Sequence, residues 1–483
     1  VLDGPVTETA AAIRSGTVSA TEVLELHLER VAQRNPELNA IVTLAEDRAR
    51  AAAKAADQAV VERRPMSPLH GIPFVVKDII ATAGVRTTAG SKILEDHVPR
   101  RSATAIDRLE RAGAILLGKS NCPEFALDLH TWNRLFGGTR NPWNPAYTSG
   151  GSSGGDSAAV AAGCSGFGVG TDYGGSIRWP AHCTGLTSLR PTVGLVPATG
   201  QIPYSGDGSL APPNSASLQH KLQVIAPIAR SVSDLWEVVR VMVGPDGYDE
   251  QCVPVALGDP WAVDLSSLTC AWFDGDGITP VDPEIVSSLE AAAGALIELG
   301  LSTVQRRPPG LDRAEEVFAA LRNADGLADH VSLASNHVDD LTDGVRWWLA
   351  GANETTVSEY RRLARQRDLL RAGVLDFMVN HQILLLPAAN IPAFRPSGPE
   401  FSINTSLSFR VGEAELTKFE ALVCTRIISL LAVPAAVVPV GTSAEGMPLA
   451  VQVVGRPFAD HEVVAVAHAL ERHFGRWQPS ARS

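Results

Sequence analysis

A chain of 483 residues with 45% hydrophobic and 19% charged residues can bury a large core and has the composition of an ordinary globular protein. Its formal charge of −12 argues against nucleic acid as a partner, because phosphates call for a basic face. The most apolar long run, Ile427 to Val440, is too short to span a bilayer and contains Pro434 and Pro439, so it reads as a buried helix end followed by a strand. The opening VLDGPVTETAAAI lacks a basic segment leading into an apolar one and does not read as a signal peptide, and a start at Val1 suggests trimming.

In chain order, Ser19-Ala20-Thr21-Glu22 has the form of a capping box, and Val23, Leu26, His27 and Val31 recur on one face. This predicts an amphipathic helix over residues 20–35. The alanine-rich stretch 44–63 predicts a second helix, with the pair packed outside a sheet. The run Ile72 to Val76 is apolar and β-branched, which suits a fully buried strand, and Lys77 stands at its end. Desolvation at such a site lowers a lysine pKa by up to about 3 to 5 units, enough to make it a base near neutral pH. A helix over 103–112 and a strand over 115–117 continue the alternation of an α/β sheet. Gly118-Lys119-Ser120-Asn121 has the look of a phosphate-loop tail but lacks the preceding glycine spacing.

Two glycine-flanked serine turns form the chemical centre: Ser149 to Ser157 (SGGSSGGDS) and Gly170 to Arg178 (GTDYGGSIR). Glycines beside a serine allow backbone conformations in which the hydroxyl projects and neighbouring N–H groups converge, as an oxyanion hole requires. Residues 157–164 predict a short helix whose N-terminus faces the first turn. A single such turn is weak evidence, since glycine and serine are common turn residues.

Residues 196–214, rich in Pro, Gly and Ser, are long for a plain connection and read either as a lid over the site or as an ordered surface excursion. Helices are predicted over 231–243 and 280–300, and a mostly helical layer over 311–381, set on one edge of the cleft. Trp347 and Trp348 there are candidates for substrate contact or for core. Buried strands follow at 383–386 and 435–440. Gly168 and Gly170 lack the dinucleotide-binding spacing. The six cysteines show no metal-ligand pattern and read as small buried residues of a reducing, cytoplasmic compartment. His70, His130 and His182 stand in no nucleophile-elbow context.

Gly71 to Asp78 (GIPFVVKD), Gly150 to Gly163 (GGSSGGDSAAVAAG) and Gly170 to Ala181 (GTDYGGSIRWPA) together resemble the amidase signature hydrolases. The matches Phe136 to Asn144 and Gly446 to Phe458 extend the resemblance over nearly the whole chain. It implies an α/β fold with a central mixed sheet flanked by helices on both faces, a single domain over 1–483 and a signature core at 69–195. It also implies a triad of Lys77, Ser152 and Ser176, in which Ser176 attacks a carbonyl carbon, Ser152 takes its proton and Lys77 takes the proton of Ser152. The backbone N–H groups of Tyr173, Gly174, Gly175 and Ser176 would hold the oxyanion, with the Tyr173 side chain free to vary. A cis peptide is expected between Gly151 and Ser152. Ala126, Leu127 and Ser152 are the substrate-binding candidates. Ser153 would support the lysine and its turn, and Asp172 would pair with Arg178 to brace the second turn.

No metal or other cofactor is called for. The implied activity is cleavage of a C–N bond in a small amide or carbamate through an acyl-enzyme on Ser176, by a monomer or homodimer that binds neither nucleic acid nor membrane. The alternative within the family is a glutamine-hydrolysing amidotransferase component that acts with a partner on charged tRNA. The run Glu124 to Phe136 (EFALDLHTWNRLF) and the 196–214 excursion point to the free-standing amidases instead.

Overall fold

The computed structural model describes residues 4–203, 214–351 and 355–476. Eleven strands form its central sheet: β1 (Ile41–Leu44), β2 (Pro73–Lys77), β3 (Ile115–Ser120), β4 (Phe167–Asp172), β5 (Thr187–Arg190), β6 (Val224–Ala229), β7 (Thr269–Trp272), β8 (Ser302–Gln305), β9 (Ile383–Pro387), β10 (Ala435–Thr442) and β11 (Pro448–Gly455). Their spatial order is β1-β3-β2-β4-β6-β5-β10-β11-β9-β7-β8. The sheet is mixed: β3-β2-β4 and β9-β7-β8 run parallel within each group, and the pairs between β4 and β9 are antiparallel.

Both faces are covered, and β9 shows why its sequence is apolar throughout. Ile383 and Leu385 enter one hydrophobic core while Leu384 and Leu386 enter another. Successive side chains of a strand point to opposite faces, so a strand covered on both sides has no polar positions to alternate with. The same logic fills β2, whose five residues are all buried.

A helix over Val6–Arg14 opens the chain, and the helix predicted over 20–35 spans Ala20–Leu38, three residues beyond the predicted end. Ser19 accepts from the Glu22 N–H, the Glu22 carboxylate accepts from the Ser19 N–H, and Asn39 in the left-handed region closes the helix. The predicted 44–63 helix begins at Glu46, because Ile41–Leu44 is an edge strand pairing with β3. The Gly118-Lys119-Ser120 stretch is the end of β3, entirely buried, and forms no phosphate loop. The helix predicted over 157–164 starts earlier, as Gly154–Ala161.

Between 311 and 381 the chain forms the helices Ala314–Asp325, Ala328–Ala334, Asp343–Ala350 and Val357–Met378. Phe318 of the first and Trp348 of the third reach the cavity at the serine turns. Of the 196–214 segment, Val196, Ala198 and Ile202 are buried, whereas residues 204–213, the greater part of the proposed lid, lie outside the described residues. Among the described residues no helix is long and apolar enough to cross a membrane.

Candidate active site

Lys77 ends β2 between two parallel neighbours, facing Ser120 on β3, and is completely buried. Its Nζ donates to Ser152 Oγ at 2.7 Å and to Thr171 Oγ1 at 2.9 Å. Burial pushes its pKa down to about 8, against the opposing pull of Cys122, Asp156 and Asp172. The lysine is thus held against the hydroxyl oxygen of a serine, with an ammonium that is costly to keep.

The first serine turn takes its shape from crowding that only glycine tolerates. Gly150 has φ +82°, and a Cβ there would stand 2.7 Å from Pro180 Cα. The Gly151–Ser152 peptide is cis. Thr131, absent from the sequence reading, clamps the turn: its N–H and hydroxyl donate to the Gly150 carbonyl, and its Oγ1 accepts from the Gly154 N–H. The Ser153 N–H donates to the Ser176 carbonyl at 3.0 Å and so ties the two turns together. Ser153 Oγ donates to the Thr171 carbonyl. The expectation that Ser153 supports the lysine is therefore corrected. The side chain beside Ser152 that bonds Lys77 is Thr171, because β4 is the strand next to β2.

The second turn is pinned by Asp172. Its carboxylate accepts from Arg178 Nε at 3.0 Å and Nη2 at 2.9 Å, and from Arg190 Nη1 at 3.2 Å, all three side chains being fully buried. Burial alone would raise the Asp172 pKa, but the two guanidinium groups hold it well below the usual carboxylate range. Arg178 continues to Gln452 Oε1 and Ser429 Oγ. Arg190, well past the second serine turn, is a partner that the sequence reading missed.

One expected oxyanion donor is occupied. The Gly175 N–H donates to Asp172 Oδ1 at 3.0 Å, since the carboxylate that braces the turn reaches back into it. This leaves the N–H groups of Tyr173, Gly174 and Ser176 as the candidates. The Tyr173 side chain is also more than a spacer, with its ring 5.5 Å from that of Phe318.

Ser152, Ser176, Tyr173 and Gly174 line one cavity, and Ala126 and Leu127 both line it as well. Phe125 and Ala126 have φ of +52° and +60°, which folds this segment against the turns. The walls not foreseen from the sequence are Leu129, two residues beyond Leu127, and, from distant segments, Phe318, Leu327, Phe419 and Leu422. Trp348 lines the cavity, whereas Trp347 is 46% exposed and stacks on Phe419. The charged groups on the wall are matched: Lys418 bonds Asp128 at 3.3 Å and Arg426 bonds Glu315 at 2.7 Å. The histidines stand apart from the serines. His70 bonds the Ala56 carbonyl, His130 lies between Thr148 and the Phe401 carbonyl, and His182 Nδ1 accepts from the Ala450 N–H. Among the described residues no group of three or more His, Cys, Asp or Glu side chains is placed to hold a metal ion.

The Amidase family model matches residues 22–464. The chain belongs to the amidase signature family. It is an enzyme of C–N bond hydrolysis. The amidase is 33% identical to a glutamyl-tRNA(Gln) amidotransferase component of Synechococcus sp. (strain CC9605), over 95% of this chain and 94% of the relative. It also resembles a solved bacterial aryl acylamidase, with 25% identity, a TM-score of 0.86, and 100% of this chain and 99% of that one covered. A 6-aminohexanoate cyclic dimer hydrolase solved with its substrate superimposes with a TM-score of 0.84 at 25% identity, over 99% of each chain.

Proposed function

We propose that this amidase hydrolyses small neutral amides carrying an apolar acyl or aryl group, through an ester on Ser176 and without a partner protein. The observation that carries the reading is the 2.7 Å bond from the buried Lys77 to Ser152, which lines a cavity whose other walls are mainly apolar. Ser176 Oγ attacks the carbonyl carbon and gives its proton to Ser152, whose own proton passes to the neutral lysine. The Tyr173, Gly174 and Ser176 N–H groups receive the oxyanion, a contribution of roughly 3 to 4 kcal/mol per important donor in other enzymes. The relay run backwards protonates the leaving nitrogen, and water then releases the acid by the same steps. A carbamate follows the same path through an alkoxycarbonyl-enzyme.

The second reading, glutamine hydrolysis for a partner enzyme, is favoured by the amidotransferase components among the relatives. Glutamine carries an ammonium and a carboxylate that each need an uncommitted opposite charge. On this wall Asp128 is engaged by Lys418, and Arg426 by Glu315. That pairing supports the neutral-amide reading.

The test is a burst assay with 4-nitroacetanilide and ethyl N-(4-nitrophenyl)carbamate on the enzyme and on Ser176→Ala, with intact-mass detection of the adduct. Release of nitroaniline that vanishes in the variant, with an adduct on Ser176, is the expected result. No release and no adduct, followed by ammonia release from glutamine once a partner protein is added, would favour the amidotransferase.

A further inference from the structure

Beside the serine-lysine relay lies a group of buried ionisable side chains. Lys77, Asp78, Lys119, Cys122 and Asp156 are all completely buried. Lys119 Nζ donates to the Ile80 carbonyl, Thr82 Oγ1 and Thr87 Oγ1, and Asp78 Oδ2 accepts from the Thr88 N–H and hydroxyl, while Asp78 Oδ1 has no hydrogen-bond partner among the described residues. Asp156 is placed differently. It stands in the first turn of the Gly154–Ala161 helix, where the positive end of the helix dipole favours a carboxylate. Its Oδ1 accepts from Ser120 Oγ at 2.7 Å, and its Oδ2 has no hydrogen-bond partner among the described residues.

The carboxylate touches the strands on both sides of the lysine. Ser120 is the residue that faces Lys77 across the β2–β3 pair. On the other side, a Cβ at Gly170 of β4 would stand 3.3 Å from Asp156 Oδ2, and one at Gly168 would stand 2.9 Å from Asp156 Cβ. Gly170 directly precedes Thr171, the second acceptor of the Lys77 ammonium. Gly168 thus leaves room for the Asp156 side chain where the sheet delivers the base, while Gly170 leaves room first for Ser153, whose Oγ would stand 2.5 Å from a Cβ there, and behind it for the Asp156 carboxylate.

We propose that Asp156 is a positioning residue for Lys77, its buried carboxylate setting the pH at which the lysine becomes a free base and hence the acid limit of catalysis. The inference rests on the reading of Lys77 as the base. Three groups favour the lysine's charge: Cys122, Asp156 and Asp172. Burial pushes the Cys122 thiol up and keeps it neutral, and Asp172 is already matched by Arg178 and Arg190. The groups that face Asp156 are Ser120, Lys77 and Lys119, and Lys119 in turn faces Asp78. Burial raises the Asp156 pKa and lowers that of Lys77, and the charge of each opposes the effect of burial on the other.

The experiment is the pH profile of kcat/KM for 4-nitroacetanilide in the parent enzyme, Asp156→Asn and Ser120→Ala. Removing the charge leaves burial to act on Lys77 with less opposition, so the acid limb moves down by about one pH unit, a tenfold gain on that limb. Ser120→Ala removes a bond that favours the ionised carboxylate, and the limb moves the same way by a smaller amount. Should Asp156→Asn fail to fold, Ser120→Ala decides alone. The substrate-free counterpart is the Lys77 Nζ titration by NMR in 15N-lysine protein, assigned with Lys77→Ala, which reads the same shift. An unmoved limb in an enzyme that still forms the Ser176 adduct overturns the role of Asp156 and leaves the proposed activity standing. A shifted Nζ titration in a protein that cleaves no amide supports Asp156 and overturns the activity.

Discussion

Lys77 Nζ lies 2.7 Å from Ser152 Oγ, and the same ammonium reaches Thr171 Oγ1 at 2.9 Å on the strand next to its own. This pair underlies the proposed chemistry, because a fully buried lysine that bonds a serine hydroxyl is placed to act as its proton acceptor and donor. Lys77→Met is expected to lower kcat by about 10² to 10⁴, the usual range for a lost general base. It is also expected to raise Tm. The folded-state pKa of Lys77 lies below its unfolded value, so the unfolded chain binds more protons between about pH 8 and 10.5, and the parent gains stability as pH rises through that window. Thermal unfolding of both proteins at pH 7 and pH 10 should show the stabilising effect of Lys77→Met shrinking at the higher pH.

Activity should rise with pH through about 8, since only the neutral lysine accepts a proton. A pre-steady-state burst measured from pH 6 to 10 reads this directly. A burst rate flat across that range would remove Lys77 from the role of base.

Thr171→Val keeps the shape of the side chain and deletes one acceptor of the lysine. A loss of about 1 kcal/mol, or up to roughly tenfold in kcat with KM little changed, is expected for one hydrogen bond of this kind. Steady-state kinetics on a single anilide suffices.

Arg190→Met leaves Asp172 with one guanidinium in a fully buried site. Breaking a buried pair typically costs about 3 to 5 kcal/mol, so the urea midpoint should fall well below that of the parent. Asp172 has a depressed folded-state pKa, so its stabilising share is present above the ordinary carboxylate value and is lost as pH falls through the folded one. The variant should therefore unfold at a less acidic pH than the parent.

Trp347→Ala and Trp348→Ala separate rim from wall. Trp348 lines the cavity and has Arg322 4.4 Å above its ring, whereas Trp347 is half exposed. For an aryl amide, KM should rise about tenfold in Trp348→Ala, in line with the loss of one or two kcal/mol of apolar contact, and by less in Trp347→Ala. Equal effects would show that the rim, not the wall, holds the ring.

Much of the site was legible because its parts are local. The Ser19 cap, the apolar run that ends in Lys77, and the glycines around Ser152 and Ser176 each carry a backbone requirement within a few residues. The sequence was silent or ambiguous where a short segment takes its state from a remote partner. Ile41–Leu44 has no periodicity of its own and is a strand because the edge of β3 is open beside it. Gly118-Lys119-Ser120 looks like a loop in isolation and is a buried strand because Thr82 and Thr87 satisfy its lysine.

By itself the sequence determined the family, the residue types of the proposed relay and the order in which they occur. Tertiary structure alone decided which neighbour completes each one: Thr171 for the lysine, Arg190 for Asp172, Asp172 for the Gly175 N–H, and Phe318, Trp348 and Phe419 for the cavity. The physical reason is that backbone conformation is a local property of a few residues. Desolvation, charge pairing and cavity shape depend on whichever side chains the sheet order and the helical layer bring together from distant parts of the chain.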